Sequence, residues 1–228
     1  MKAKFGAIVV DGRGKAGGHV LSKNRGGSYM RTKVTPSNPR TTAQSSVRSR
    51  LTTYAQGFRA LTAAQILSWN NAVADYKSTD IFGDIKNPSG INLYTKLNSN
   101  LVEGGQSPIT APPLPSNVVI PSTLTLTGAA GTPALSLAFA TSPVATGMVW
   151  IVRATAQLSP GISASAGRFR NITTIAAAAT TPANILAAYN TKFGTLVAGR
   201  KVFIQVIGMN ITTGQKSASV VTSAVIAA

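Results

Sequence analysis

The sequence predicts an α+β fold: a basic β-ribbon arm and a small three-helix region, followed by an all-β sandwich. Three observations lead to this prediction. Basic residues and glycines concentrate near the start of the chain, apolar residues in the middle recur at helical spacing, and the last hundred residues alternate with a period of two. The predicted units are the arm, the helical region, a proline-rich linker and the sandwich, at residues 1–40, 41–103, 104–121 and 122–228.

The arm stands out by its charge and its glycine content. Eleven of the 22 lysines and arginines lie in residues 1–50, against the single acid Asp11, and seven glycines lie in the first thirty residues. Such a segment buries too little apolar surface to offset its chain entropy and like-charge repulsion. We infer that a partner holds the arm in place.

The pattern within the arm predicts strands rather than coil. Residues 3–10 read as a strand, and the glycine-rich run 11–18 reads as a loop. Residues 19–23 and 28–34 flank Asn24-Arg25-Gly26-Gly27, which predicts a β-hairpin with a four-residue loop. In its second strand Tyr29, Arg31 and Lys33 share one face.

The middle of the chain predicts three helices with a common core. Thr41 and Thr62 each precede a glutamine by three residues, which is the spacing of a capping box. Apolar residues then recur at steps of three and four, as on one face of a helix. The stripes are Val47, Leu51, Tyr54 and Phe58; Ile66, Trp69, Val73 and Tyr76; and Leu93, Leu97 and Leu101 after Ser89. The predicted shared core contains Leu51, Phe58, Trp69, Leu93 and Leu97.

A proline-rich stretch separates the helices from the predicted sandwich. Residues 104–121 hold five of the twelve prolines, which predicts a stiff linker and a domain boundary. Six or seven short strands separated by turn residues follow, as in a β-sandwich. The six clearest are 124–126, 135–139, 149–152, 172–175, 202–206 and 220–226, and residues 182–189 predict one or two helical turns.

The residue types argue against catalysis. The chain has no cysteine and one histidine, His19, and residues 111–228 contain neither an acid nor a histidine, so no Ser–His–acid set can form there. Asp75, Asp80 and Asp84 match neither a calcium loop nor a paired-carboxylate site. The basic glycine run at 12–16 departs from the phosphate-binding loop in spacing and in having Ala16 after its lysine. We therefore predict a non-enzymatic protein with no cofactor and no metal site.

The charge distribution predicts an acidic partner. The net charge is +17, of which the first fifty residues contribute +10. An acidic protein lattice and nucleic acid both fit, and the scarcity of aromatic residues in the arm favours protein. No apolar run is long enough to span a membrane. The predicted partner-binding residues are Arg13, Lys15, Lys23, Arg25, Tyr29, Arg31, Lys33, Arg40, Arg48 and Arg50.

Several motifs resemble those of a group of structural proteins encoded by tailed bacteriophages. The similarity covers roughly residues 4–100. It includes the glycine-rich basic arm, the Asn-Pro-x-Thr-x-x-Gln helix start at 38–44 and the Leu-Thr-x-x-Gln-x-x-x-Trp helix at 61–69. The run 199–206 and the turn at 213–217 are similar to the last two strands of an immunoglobulin-like or fibronectin type III-like module.

The resemblance implies a structural protein of the virion, made in the host cytoplasm. It implies a decoration, cement or joining role on the capsid or neck, with the major capsid or neck proteins as partners and with many copies per particle or a homo-oligomer. Two alternatives stay open: a virion protein that contacts the packaged genome through the arm, and adhesion to the host surface by the sandwich. Fold alone does not decide among them.

Overall fold

The structure is a computed structural model that describes residues 12–24, 27–119, 121–140, 144–163 and 167–228. The predicted strand at 3–10 lies outside the described residues, as does Arg25. The described chain is mixed α+β, with four α-helices and several β-sheets. No helix in the described ranges combines the length and apolar character needed to cross a membrane.

The arm forms a small antiparallel sheet. Its strands are β1 (Gly14–Ala16), β2 (His19–Asn24) and β3 (Gly27–Thr32), with β2 in the middle. The predicted hairpin is confirmed, but its loop is shorter than predicted because Asn24 pairs with Gly27. The glycine run expected to be a loop contains β1, and Gly17 at φ 57° provides the turn into β2.

The helical region contains α1 (Thr42–Arg59), α2 (Ala63–Ala72) and α3 (Gly90–Glu103). Thr41 and Thr62 cap α1 and α2 as predicted, each accepting the N–H of the glutamine three residues later. At Thr62 the Gln65 side chain also accepts the Thr62 N–H, which completes the capping box. A 3₁₀ turn, Val73–Asp75, and the short hairpin of β4 (Ser78–Thr79) and β5 (Ile85–Lys86) connect α2 to α3.

These helices share a small aromatic core. Its buried members are Tyr54, Trp69, Leu93, Tyr94 and Leu97, with Phe58 partly buried against them. The prediction that Leu51 belongs to this core is wrong, since its side chain is 57% exposed. The contacts that hold α1 to α3 run through Tyr54 and Phe58, so the helix is packed only in its C-terminal part.

The C-terminal region consists of two antiparallel sheets around one core. A three-stranded sheet has the order β10-β7-β6, and a four-stranded sheet has the order β12-β11-β8-β9. Both sheets contribute to one buried cluster, which includes Leu137 of β7, Trp150 of β8 and Ile204 of β11. The strands are β6 (Thr125–Ala129), β7 (Ala134–Ala138), β8 (Met148–Ala154), β9 (Arg170–Ile175), β10 (Ala183–Asn184), β11 (Lys201–Asn210) and β12 (Lys216–Val225).

Six predicted strands correspond to β6, β7, β8, β9, β11 and β12. The predicted helical turns correspond to α4 (Leu186–Phe193), which precedes β11. Helix α4 places Tyr189 in the core, where its hydroxyl donates to the Thr155 carbonyl at 3.1 Å. Burial raises the pKa of Tyr189 to about 12.

The proline-rich stretch lies against both regions. The buried Asn98 side chain bonds the N–H of Ile109 at 2.6 Å and its carbonyl at 3.1 Å, and Trp69 donates to the Thr110 carbonyl at 2.8 Å. Further along, the Ser116 N–H donates to the Gln215 side chain at 2.7 Å. These bonds satisfy the backbone of a segment that has no regular structure of its own. The proposed domain boundaries stay a prediction.

Candidate interaction surfaces

The strand register gathers basic side chains on one face of the arm sheet. Lys15 pairs with Val20, and Val20 pairs with Arg31, so these three lie in one row across the sheet. Cross-strand neighbours project to the same side, and residues two apart along a strand share that side. Arg13 and Lys33 extend the row past the strand ends, and all four basic side chains are exposed. We call Arg13, Lys15, Arg31 and Lys33 the basic face.

Other predicted residues fall on either side of this sheet. Tyr29 pairs with Ser22 and shares the side of Arg31, as the sequence predicted. Lys23 pairs with Ser28 and projects to the opposite side, which also carries the directly opposed Leu21 and Met30. The sheet thus has one strongly basic side and one of mixed character.

The remaining predicted arginines lie where the arm meets α1. Arg48 donates to the Asn38 side chain at 2.8 Å and ties the extended segment 33–41 to the helix. Arg40 adopts a left-handed backbone with φ 49° in that segment. Arg50 lies on another side of α1, near Tyr54. Burial raises the pKa of Tyr54, and the charge of Arg50 opposes that rise.

The first three turns of α1 are exposed on all sides. Every residue from 31 to 53 is exposed, including Val47 at 63% and Leu51 at 57%. These two side chains continue the stripe that Tyr54 and Phe58 bury further along the helix. We call residues 42–53 the exposed half of α1. No described part of the chain covers its apolar stripe.

No pattern in the sequence points to Glu103, yet its carboxylate joins the helices to the four-stranded sheet. Oε1 accepts from Arg153 and from Asn171, both at 2.6 Å, and Oε2 pairs with Lys216. Burial by itself would raise the pKa of this carboxyl, but the hydrogen bonds from Lys216, Asn171 and Arg153 lower it to about 2. The one available signal was that Glu103 is the only glutamate in the sequence.

The aspartate group between α2 and α3 has a local structural role. The Asp80 side chain accepts the N–H groups of Phe82 at 2.8 Å and Asp84 at 3.1 Å, which closes the turn between β4 and β5. Within the described ranges, no three His, Cys, Asp or Glu side chains come close enough together to hold a metal ion.

No protein-family model matches this sequence, and no match was found among curated proteins or among solved structures.

Proposed function

We propose that this chain is a non-enzymatic structural protein of a tailed-bacteriophage particle, anchored to the capsid or neck by its arm. Its role would be decoration, cementing or joining of the shell. The observation that carries the proposal is the uninterrupted exposure of residues 31–53 beside the basic face. A stretch this long makes no contact with a core of its own chain. Burial against a neighbouring protein would offset the entropy lost when it becomes ordered.

The charge of the arm specifies the chemistry of that neighbour. From Gly12 to Arg59 the sequence contains ten lysines and arginines and no acid. An acidic patch on the shell protein would place negative charge opposite the basic face and would speed association. The apolar side chains of Val47 and Leu51 would add burial next to those ion pairs.

For the C-terminal region we propose an immunoglobulin-like or fibronectin type III-like sandwich that projects from the particle. The strand order of the two sheets supports this, because consecutive strands are divided between them as in a Greek key. Trp150 supports it as well: this side chain is buried on the third strand and packs edge-on against Phe139 with ring centroids 4.4 Å apart.

The experiment compares two fourfold variants with equal charge loss. Replacing Arg13, Lys15, Arg31 and Lys33 with alanine should lower occupancy of the phage particle. A matched control replaces four exposed basic residues of the sandwich, Arg168, Arg170, Lys192 and Arg200, and should leave occupancy unchanged. Wild-type occupancy in the basic-face variant would rule out this anchor.

The second candidate function is binding of the packaged genome, and the geometry of the arm favours it specifically. An antiparallel β-ribbon fits the major groove of DNA, and four basic side chains on one face could contact phosphates. Neutralising four phosphates would give a slope of about −3.6 in log affinity against log salt concentration. DNA binding with that slope, lost in the basic-face variant, would replace the protein-anchor proposal.

A further inference from the structure

The proline-rich stretch contains a short segment whose backbone conformation follows from its sequence. Residues 111–117 read Ala-Pro-Pro-Leu-Pro-Ser-Asn. Proline restricts its own φ and holds the residue before it in an extended conformation. These prolines therefore favour polyproline II, which has three residues per turn and no internal hydrogen bonds. In the structure the chain bends at 110–111 and then runs to Val119 without helix, strand or turn.

The rest of the chain holds this segment along one edge. The Tyr76 hydroxyl donates to the Pro113 carbonyl at 2.9 Å, and the Ser116 N–H donates to the Gln215 side chain at 2.7 Å. Pro113 and Ser116 are three positions apart in the sequence, which is one turn of a polyproline II helix. The attachment of the segment to its own chain therefore follows the period of that helix.

The other two edges of the segment are accessible. One consists of Ala111, Leu114 and Asn117, which are all exposed, and the other consists of Pro112, which is partly exposed, and Pro115, which is exposed. Leu114 is 79% exposed, the highest value among the large apolar side chains described. The segment thus displays an apolar side chain between prolines instead of packing it.

This arrangement matches the way in which proteins recognise polyproline II segments. Domains of this kind bind a Pro-x-x-Pro pattern in a groove lined by aromatic side chains, and Pro112 and Pro115 have that spacing. A helix with three residues per turn can place two edges in such a groove while its third edge points away. Here the third edge is the one attached to Tyr76 and Gln215, so binding does not require the segment to detach.

The segment is also fixed at both ends. Before it, the Trp69 ring N–H donates to the Thr110 carbonyl at 2.8 Å. After it, Val118 and Val119 pack against the core of the two C-terminal sheets. A ligand that is already held in its bound conformation loses less entropy on binding than a free peptide does. The surrounding structure therefore favours recognition of this segment.

A positive charge lies beside the C-terminal end of the segment. Lys96 of α3 is exposed and lines a cleft together with Ser116 and Asn117. Opposite charges across an interface speed association and fix the orientation of the partners. A groove with an acidic rim would therefore complement both the proline segment and this lysine.

We infer that residues 111–117 are a polyproline II ligand for a protein with an aromatic-lined groove of the SH3 type and an acidic rim. Leu114 and the edge formed by Pro112 and Pro115 enter the groove, and Lys96 faces the rim. This inference goes beyond the proposed function and does not depend on it, because the arm residues take no part in this surface.

The test titrates an isotope-labelled SH3 domain that has an acidic groove rim with the full chain, and follows the NMR signals of the groove. Wild type should bind saturably. Leu114→Gln and Pro115→Ala should each raise the dissociation constant about tenfold, because they remove apolar groups that the groove covers. The matched controls are Leu67→Gln, at a leucine of α2 that is 60% exposed, and Pro160→Ala, at another exposed proline. Both controls should bind like wild type.

A further variant tests the charge. Lys96→Gln should retain binding but make the affinity less dependent on salt concentration. An unchanged salt dependence would overturn the assignment of the acidic rim. Leu114→Gln and Pro115→Ala binding at wild-type affinity would overturn the inference, as would a wild-type chain that binds none of three probes, namely an SH3, a WW and an EVH1 domain. Thermal denaturation of each variant would check that the fold is intact.

Discussion

At the scale of single residues, the Glu103 carboxylate links α3 to three strands of the four-stranded sheet. The residue meets two cations and an amide of that sheet. Its side chain is 17% exposed, so water partly screens these pairs. Removing the carboxylate would leave Arg153 and Lys216 near the sheet without a counter-charge.

We expect Glu103→Gln to lower the free energy of unfolding by about 2 kcal/mol at neutral pH. The folded-state pKa of about 2 lies below the ordinary 4.5, so the carboxylate contributes stability that is complete above about pH 4.5 and lost as pH falls towards 2. Urea denaturation across this range should show the difference between wild type and variant shrinking as pH falls. The exposed Asp75→Asn is the control, and a difference independent of pH would contradict this account.

Gly214 is a second position where one residue decides the packing. It lies in the turn between β11 and β12 at φ 69°, and a Cβ there would come within 2.5 Å of the Leu97 carbonyl oxygen of α3. The Asn100 side chain of the same helix donates to the Gly214 carbonyl at 2.8 Å. The absence of a side chain therefore lets the hairpin approach the helix.

We expect Gly214→Ala to destabilise the protein by roughly 2–4 kcal/mol, from backbone strain together with the clash. Gly199 is the matched control: its φ is 73°, but a Cβ there would have no atom within 4 Å. Gly199→Ala should cost only the strain, about 1 kcal/mol. If chemical denaturation shows equal losses of unfolding free energy for the two variants, the close approach of Gly214 to α3 does not affect stability.

At the scale of elements, α1 combines two environments in one helix. Its C-terminal part packs through Tyr54 and Phe58, while the exposed half at 42–53 contacts no core. Most helix stability in proteins comes from packing, and unpacked helices of about 12 residues are marginal in water. The capped start at Thr41 supplies only a small local stabilisation.

The exposed half of α1 should therefore open readily in the free protein. We expect its amide hydrogens to exchange on the order of 100-fold faster than those of α3, measured by hydrogen exchange in the absence of partners. Adding phage particles should slow exchange in 42–53 under the protein-anchor proposal, and adding DNA should do so under the alternative. Equal protection of α1 and α3 in the free protein would contradict the packing described above.

At the scale of the whole molecule, the described part of the arm contributes no buried residue to a core. Every buried core residue of the described chain lies at Tyr54 or beyond, and the core of the helices and the core of the two C-terminal sheets are connected through α3, Glu103 and the proline-rich stretch. Under the proposed function, stability and attachment therefore belong to different parts of the chain.

Deleting residues 1–40, which keeps the Thr41 cap of α1, should leave the free energy of unfolding within about 0.5 kcal/mol of wild type, because the deletion removes no buried side chain of the described structure. The same truncated chain should lose particle binding. Thermal and urea denaturation, run beside a binding assay, would measure both effects. Marked destabilisation on truncation would show that the arm contributes to the folded core.

The sequence by itself determined the features that depend on local patterns. Residue periodicity predicted the three helices and six strands, because the spacing of apolar side chains follows directly from helix and strand geometry. The caps at Thr41 and Thr62 and the Tyr29–Arg31 face were predictable for the same reason. The basic candidate residues of the arm were identifiable from charge alone, although only four of them form the basic face.

Tertiary structure decided what depends on contacts distant in sequence. The burial of Tyr54 but not Leu51 depends on where α3 lies, and both residues occupy equivalent positions in the stripe. Glu103 meets residues 50, 68 and 113 positions away, a pairing that no local pattern encodes. The position of β12 at the edge of its sheet likewise follows from strand order, because a strand's own sequence does not specify which strands lie beside it.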